Sequence, residues 1–142
     1  MKTHLNLATS DLDRAVSFYS ILLDAKPTKT LADYALFVTE KPGLELALDL
    51  RDVVLPNSDA HYGICVEMPD QVDRAIERLS AAGLTASIER EQTCCYANQT
   101  KVWAIDPDGR RWEVYTVHND TDDRNDDDMT RCSEPETRSC CS

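Results

Sequence analysis

The sequence predicts an α+β fold in which paired βαβββ modules form an open, cup-shaped barrel. Two observations carry the prediction: an internal repeat, and strand-like segments of alternating polarity beside amphipathic helices. Thr3-His4-Leu5-Asn6-Leu7 precedes a helix that opens Asp11-Leu12-Asp13-Arg14-Ala15-Val16. Ala60-His61-Tyr62-Gly63-Ile64-Cys65-Val66 precedes a second helix that opens Asp70-Gln71-Val72-Asp73-Arg74-Ala75-Ile76. The two histidines stand 57 residues apart and the two Asp-Arg-Ala triplets 60 apart, which marks a duplicated unit.

Each element follows from local chemistry. Ser10 or Asp11 caps the first helix, which runs to about Leu23 with Val16, Tyr19, Leu22 and Leu23 as its apolar stripe. Three short strands follow near Lys26–Thr30, Tyr34–Thr39 and Leu44–Leu50, with a turn at Lys41-Pro42-Gly43. The second helix starts at Asp70, carries Val72, Ala75, Ile76 and Leu79 on one stripe, and ends near Ala82. Gly83 suits the left-handed position just past a helix end. Its three strands fall near Thr85–Arg90, Thr100–Ile105 and Arg111–Val117, and Asp106-Pro107-Asp108-Gly109 turns between the last two.

The 142 residues suit one internally duplicated domain over 1–118, with modules about 1–55 and 56–118. A formal net charge of −11 argues against nucleic acid as a partner, because a phosphate backbone requires clustered Lys and Arg. No apolar run approaches the ~20 residues of a membrane span, and the opening residues are too polar for a signal peptide. No membrane contact and a cytoplasmic location are therefore expected. Residues 119–142 carry 8 acidic and 3 basic side chains, with Met129 as the lone aliphatic residue. Burial cannot offset the chain entropy of such a segment, so a disordered, cysteine-bearing tail is expected.

Side-chain alternation says what faces the cup. On the first strand Leu5 and Leu7 oppose His4 and Asn6; on the fifth, Tyr62, Ile64 and Val66 oppose His61, Gly63 and Cys65. On the last strand Trp112, Val114 and Thr116 oppose Arg111, Glu113 and Tyr115. His4, His61 and Glu113 then share the face turned from the helices. Two imidazoles and a carboxylate can hold a divalent ion while leaving positions open, which makes the cup a candidate metal-binding barrel. These three residues are the candidate catalytic set, acting through the metal. Cys65 is expected as a small buried hydrophobe, and His118 as a solvated residue beyond the last strand.

Six cysteines occur as Cys65, Cys94-Cys95, Cys132 and Cys140-Cys141. Without a secretory leader a disulfide framework is not expected. Adjacent thiols are poor partners for each other but can grip one soft atom together. Tyr96, next to the first pair, can pack over a substituent or anchor the loop. Asn98, Gln99 and Lys101 are near, with nothing in the sequence to rank them as contacts.

The doubled βαβββ pattern, the opening Asp11-Leu12-Asp13-Arg14-Ala15-Val16-Ser17-Phe18-Tyr19 and the segment Asp106-Pro107-Asp108-Gly109-Arg110-Arg111-Trp112-Glu113-Val114 resemble the vicinal oxygen chelate superfamily. That group contains glyoxalase I, fosfomycin-resistance proteins, bleomycin-binding proteins and extradiol dioxygenases. The fold hosts many reactions, so this likeness speaks to fold and metal geometry alone. Glu91-Gln92-Thr93-Cys94-Cys95-Tyr96-Ala97-Asn98-Gln99 and the cysteine-bearing tail further resemble the carbon–arsenic lyases (ArsI type) and the related cadmium-induced proteins.

The resemblance implies an Fe(II)- and O2-dependent dioxygenase that cleaves trivalent organoarsenicals, methyl or aromatic, to arsenite. It implies His4, His61 and Glu113 as iron ligands, Cys94 and Cys95 as the arsenic-binding pair, and O2 as co-substrate. Soft trivalent arsenic prefers thiolates, whereas iron in a nitrogen–oxygen site takes harder ligands, so the two roles separate chemically. Glu45, opposite Leu44 and Leu46, occupies the first-repeat place where glyoxalase I has a fourth ligand. Two other readings stay open: a glyoxalase-type metal isomerase using Glu45, and a non-enzymatic cadmium- or arsenite-binding protein. A homodimer is common in the superfamily and is left open.

Overall fold

The computed structural model describes residues 1–55, 59–94 and 97–120; of Cys94 and Asp120 it describes the backbone alone. The first module comprises β1 (Thr3–Thr9), α1 (Leu12–Leu22), β2 (Lys29–Thr30), β3 (Tyr34–Thr39) and β4 (Leu44–Leu50). The second comprises β5 (His61–Cys65), α2 (Pro69–Ala81), β6 (Thr85–Cys94), β7 (Ala97–Ile105) and β8 (Arg111–Asp120). The duplication expected from the repeat is present element for element. Each module forms a four-stranded sheet, ordered β1-β4-β3-β2 and β5-β8-β7-β6. In each, the first strand runs parallel to the last and the other pairs are antiparallel.

Local chemistry sets the helix ends. Asp11 caps α1, its side chain accepting from the Arg14 N–H at 3.0 Å. Pro69 opens α2 and needs no N–H partner there, while the Met68 N–H donates to Gln71 Oε1 at 2.9 Å. Gly83 follows α2 at φ +70°, a conformation that glycine adopts without a steric cost. The buried face of α1 is Leu12, Ala15, Phe18, Tyr19 and Leu22; of the expected stripe Tyr19, Leu22 and Leu23 are buried and Val16 is only half-buried.

Both modules contribute to one core, in which Phe18, Leu22, Phe37, Leu46, Val72 and Trp112 cluster. A buried polar clamp locks them together. The Tyr19 hydroxyl donates to Asp106 Oδ2 at 2.6 Å and accepts from Trp112 Nε1 at 3.1 Å. Arg110 donates to Asp106 Oδ2 at 3.1 Å and to the Ala8 carbonyl at 2.6 Å. Asp108 Oδ1 accepts from both the N–H and the hydroxyl of Ser10 at 2.9 Å. Burial, and then Asp106, pushes the Tyr19 phenol far up, so it stays a donor. The segment expected to be only a turn is thus the tie between modules.

Four expectations need correction. β2 shrinks to two residues. β6, β7 and β8 run beyond their expected ends, because a chain of polar residues still completes a ladder when its neighbours are extended. His118 belongs to β8 and its Nε2 lies 2.8 Å from Thr100 Oγ1, so it is not a solvated residue past the strand. Cys65 is exposed rather than buried. Among the described residues no helix is long and apolar enough to cross a membrane. The expected disordered tail lies, from residue 121 onward, outside the described residues, as do Cys132, Cys140 and Cys141.

Candidate metal centre and thiol hairpin

Parallel pairing aligns the first strand of each module with its last. In the first module His4 stands directly opposite Glu45, with Nδ1 3.6 Å from Oε2, and both side chains are open to solvent. In the second, Gly63 stands opposite Glu113, and His61 Nε2 reaches to 3.6 Å from Glu113 Oε1. The alternation holds on β5, where His61, Gly63 and Cys65 are exposed while Ile64 is buried.

Gly63 makes this second pair feasible. A Cβ there would sit 2.9 Å from the Tyr115 ring and 3.2 Å from Glu113 Oε1. The bare backbone is therefore what lets the carboxylate lie over β5. Around it, Trp103 meets His61 edge-on at 5.3 Å, and Arg111 lies 4.8 Å from the Trp103 ring. Trp103 Nε1 donates to Glu89 Oε1 at 3.1 Å. Burial raises the Tyr115 phenol, and the adjoining Cys65 thiol and Glu113 carboxylate push the same way.

Glu113 itself is 7% exposed. Its Oε2 lies 3.0 Å from the Lys101 ammonium, an ion pair without an aligned hydrogen bond, and has no hydrogen-bond partner. A buried carboxylate whose other oxygen, Oε1, turns toward an imidazole has the donor chemistry of a divalent-ion site. The chemistry of the expected set fits, but one chain brings its members together only two by two. Among the described residues no group of three or more His, Cys, Asp or Glu side chains is placed to hold a metal ion. His4 pairs with Glu45 on one sheet, and His61 with Glu113 on the other.

The first of the two adjacent cysteines lies at the end of a β6–β7 hairpin. Cys94 ends β6 in register with Ala97, the first residue of β7. Cys95, Tyr96 and the Cys94 side chain are outside the described residues. A bulge between Glu89 and Gln92, with Glu91 at φ 49°, bends this hairpin. Asn98 Nδ2 fastens the bend by donating to the Glu91 carbonyl at 3.1 Å. The hairpin belongs to the sheet that carries His61 and Glu113.

Sequence reasoning passed over Trp103 and Arg111, and left Lys101 unranked. Alternation could have found them, since Lys101 and Trp103 are two apart on β7 and stand opposite Tyr115 and Glu113. Asn98 braces the hairpin, and Gln99 is buried in β7.

The Glyoxalase/Bleomycin resistance protein/Dioxygenase superfamily model matches residues 3–114. The chain is 38% identical to a trivalent organoarsenical cleaving enzyme of Bacillus sp. (strain MD1), over 98% of this chain and 89% of that one. It is 40% identical to the cadmium-induced protein CadI of Mycobacterium tuberculosis (strain ATCC 25618 / H37Rv), over 86% of this chain and 88% of that one. A crystal structure of a glyoxalase/bleomycin resistance protein/dioxygenase from Alicyclobacillus acidocaldarius has a TM-score of 0.67 at 21% identity. It covers 84% of this chain and 92% of its own, and the likeness is one of fold.

Proposed function

This chain belongs to the Glyoxalase/Bleomycin resistance protein/Dioxygenase superfamily, and from that premise we propose that it cleaves the carbon–arsenic bond of trivalent organoarsenicals to release arsenite. In a cell this is organoarsenical detoxification. The observation that carries the reading is the union, on one sheet, of the His61–Glu113 donor pair with the strand that ends at Cys94, the first of two cysteines adjacent in sequence. A soft-atom grip and a nitrogen–oxygen donor site on one sheet suit a substrate with a soft centre and a reaction partner that prefers harder ligands.

Cys94 and Cys95 bind arsenic as thiolates, releasing their protons on binding. Tyr96 lies beside the organic substituent, methyl or aryl. His61 and Glu113, together with a His4, hold Fe(II), which when bound supplies reactivity toward the co-substrate O2. Trp103 packs edge-on against His61, with Arg111 over the Trp103 ring, and so orients the imidazole.

The separation of His4 from His61 within one chain points to a homodimer. β1 and β5 each end their sheet, and a strand edge left open is a template for another chain. A second copy that lays its β1 beside β5 brings its own His4 to His61 and Glu113. Two-fold symmetry repeats the contact, so two composite sites close at once.

The His4–Glu45 pair at 3.6 Å favours one rival, a four-ligand metal isomerase. The test is anaerobic loading with Fe(II) and a trivalent methyl or aryl arsenical, then admission of O2. Arsenite release, absent without iron, is the expected result. Intact arsenical together with turnover of a glutathione–aldehyde adduct would replace the lyase by the isomerase. Bound arsenical with neither reaction would leave a sequestering protein.

A further inference from the structure

We infer that Lys101 is the resident counter-charge of Glu113, a positioning residue with which any cation taken up at this site must share the carboxylate. The inference rests on the metal reading of His61 and Glu113. Lys101 is 4% exposed, within the β7 run Gln99–Ala104 whose members are all buried. A lysine is rarely so deeply buried unless it is paired, because desolvating an ammonium is costly.

Its one ion-pair partner among the described residues is Glu113, at 3.0 Å from Nζ to Oε2. The ammonium also lies 5.5 Å from the centre of the Trp103 ring. β7 places Lys101 opposite Tyr115 and Trp103 opposite Glu113, so the ammonium reaches the carboxylate diagonally across one face of the sheet. Glu113 thus divides its oxygens. Oε2 faces Lys101, and Oε1 faces His61 at 3.6 Å.

Two consequences follow. In the metal-free protein the ammonium offsets the burial of a carboxylate that has no aligned hydrogen bond at Oε2. With a cation present, the same ammonium is a nearby like charge that weakens binding and keeps Oε2 engaged, so that Glu113 ligates through Oε1 alone. Lys101 therefore trades metal affinity for an ordered ligand.

The test uses full-length protein and Mn(II) alone, followed by calorimetric titration, with Lys101→Met and Lys101→Arg variants. Lys101→Met should bind Mn(II) at least about tenfold more tightly than wild type, while its metal-free form melts at a lower temperature. Lys101→Arg should restore the wild-type affinity, and Lys101→Gln serves if the methionine variant does not fold. A folded Lys101→Met or Lys101→Gln with unchanged or weaker Mn(II) affinity would overturn the inference. A metal-free double-mutant cycle with Glu113→Gln tests the pair independently of any metal. The double variant should lose less stability than the two single losses combined, and strictly additive losses would overturn the pairing. If wild type takes up no Mn(II), the metal reading falls with the tuning role, and the cycle alone still decides the ion pair.

Discussion

His61 Nε2 lies 3.6 Å from Glu113 Oε1 across two parallel strands, and Gly63 between them carries no side chain to separate the pair. The arrangement joins an imidazole and a nearly buried carboxylate through backbone pairing alone. Gly63→Ala should therefore push Glu113 and the Tyr115 ring aside. The colliding atoms are side chains, so the stability cost should stay near about 1 kcal/mol while uptake of divalent ions falls at least about tenfold. Denaturant melts and metal analysis on the same sample check both numbers, and unchanged uptake would remove the glycine from the site.

Tyr19 bridges Asp106 and Trp112 between the modules. Tyr19→Phe leaves a buried acceptor and a buried indole N–H short of a partner, and should cost about 1–3 kcal/mol. Urea denaturation reads the loss. Cysteine-bound arsenical, assayed separately, should be unaffected.

Asp108 supplies a pH signature. Burial alone would raise its carboxyl, but hydrogen bonds from Thr9 and Ser10 and the Arg110 charge outweigh burial and hold it below the ordinary value. A depressed folded-state value gives stability that is fully present above the unfolded-state value, about 3.9, and is lost as pH falls through the folded value. Asp108→Asn should be less stable than wild type at neutral pH, and the difference should shrink in acid. A difference that is constant with pH would show that the charge contributes nothing.

Much of this molecule was legible in the sequence, for reasons that particular residues make plain. The repeat of His4 and His61, and of the two Asp-Arg-Ala triplets, reflects two modules with the same succession of elements, so βαβββ could be read twice along the chain. Alternation placed His61 and Glu113 on one face because β5 and β8 are regular strands. The long β6–β7 hairpin was hidden because Glu91-Gln92-Thr93 is polar and its ladder is broken by a bulge. Cys65 was misjudged because β5 is an edge strand, with no neighbour on its far side to cover the thiol. The two-by-two division of donors was illegible for a different reason: period-two patterning reports which face a residue takes, not which sheet it meets across space.

The end of the domain illustrates the same limit. Truncation after His118, the boundary expected from composition, removes Asn119 and Asp120, which pair with Asn98 and Ala97 beside the thiol hairpin. Truncation after Asp120 should leave the melting temperature nearly unchanged, whereas truncation after His118 should loosen the hairpin. Hydrogen exchange at Ala97 and Asn98 separates the two chains, and equal protection in both would contradict the pairing.

The composite site predicts complementation. Chains carrying His4→Ala and chains carrying His61→Ala should each be inactive alone. Mixed and refolded together, they should recover about a quarter of wild-type activity per chain, since random pairing makes half the dimers mixed and each mixed dimer keeps one intact site. No recovery in mixed dimers verified by mass spectrometry would place His4 and His61 in the same chain's site.

The central claim is that the adjacent cysteines Cys94 and Cys95 hold an organoarsenical that is cleaved at the proposed metal centre. Arsenic-edge X-ray absorption on Fe(II)-loaded protein with a trivalent methylarsenical, before and after O2 is admitted, measures this most directly. The account predicts arsenic bonded to two sulfurs and one carbon under anaerobic conditions, then loss of the carbon neighbour as arsenite appears. Cys94→Ser or Cys95→Ser should abolish the sulfur neighbours while leaving iron in place. Arsenic that keeps both its sulfur and its carbon neighbours in fully iron-loaded, aerated protein would contradict the account.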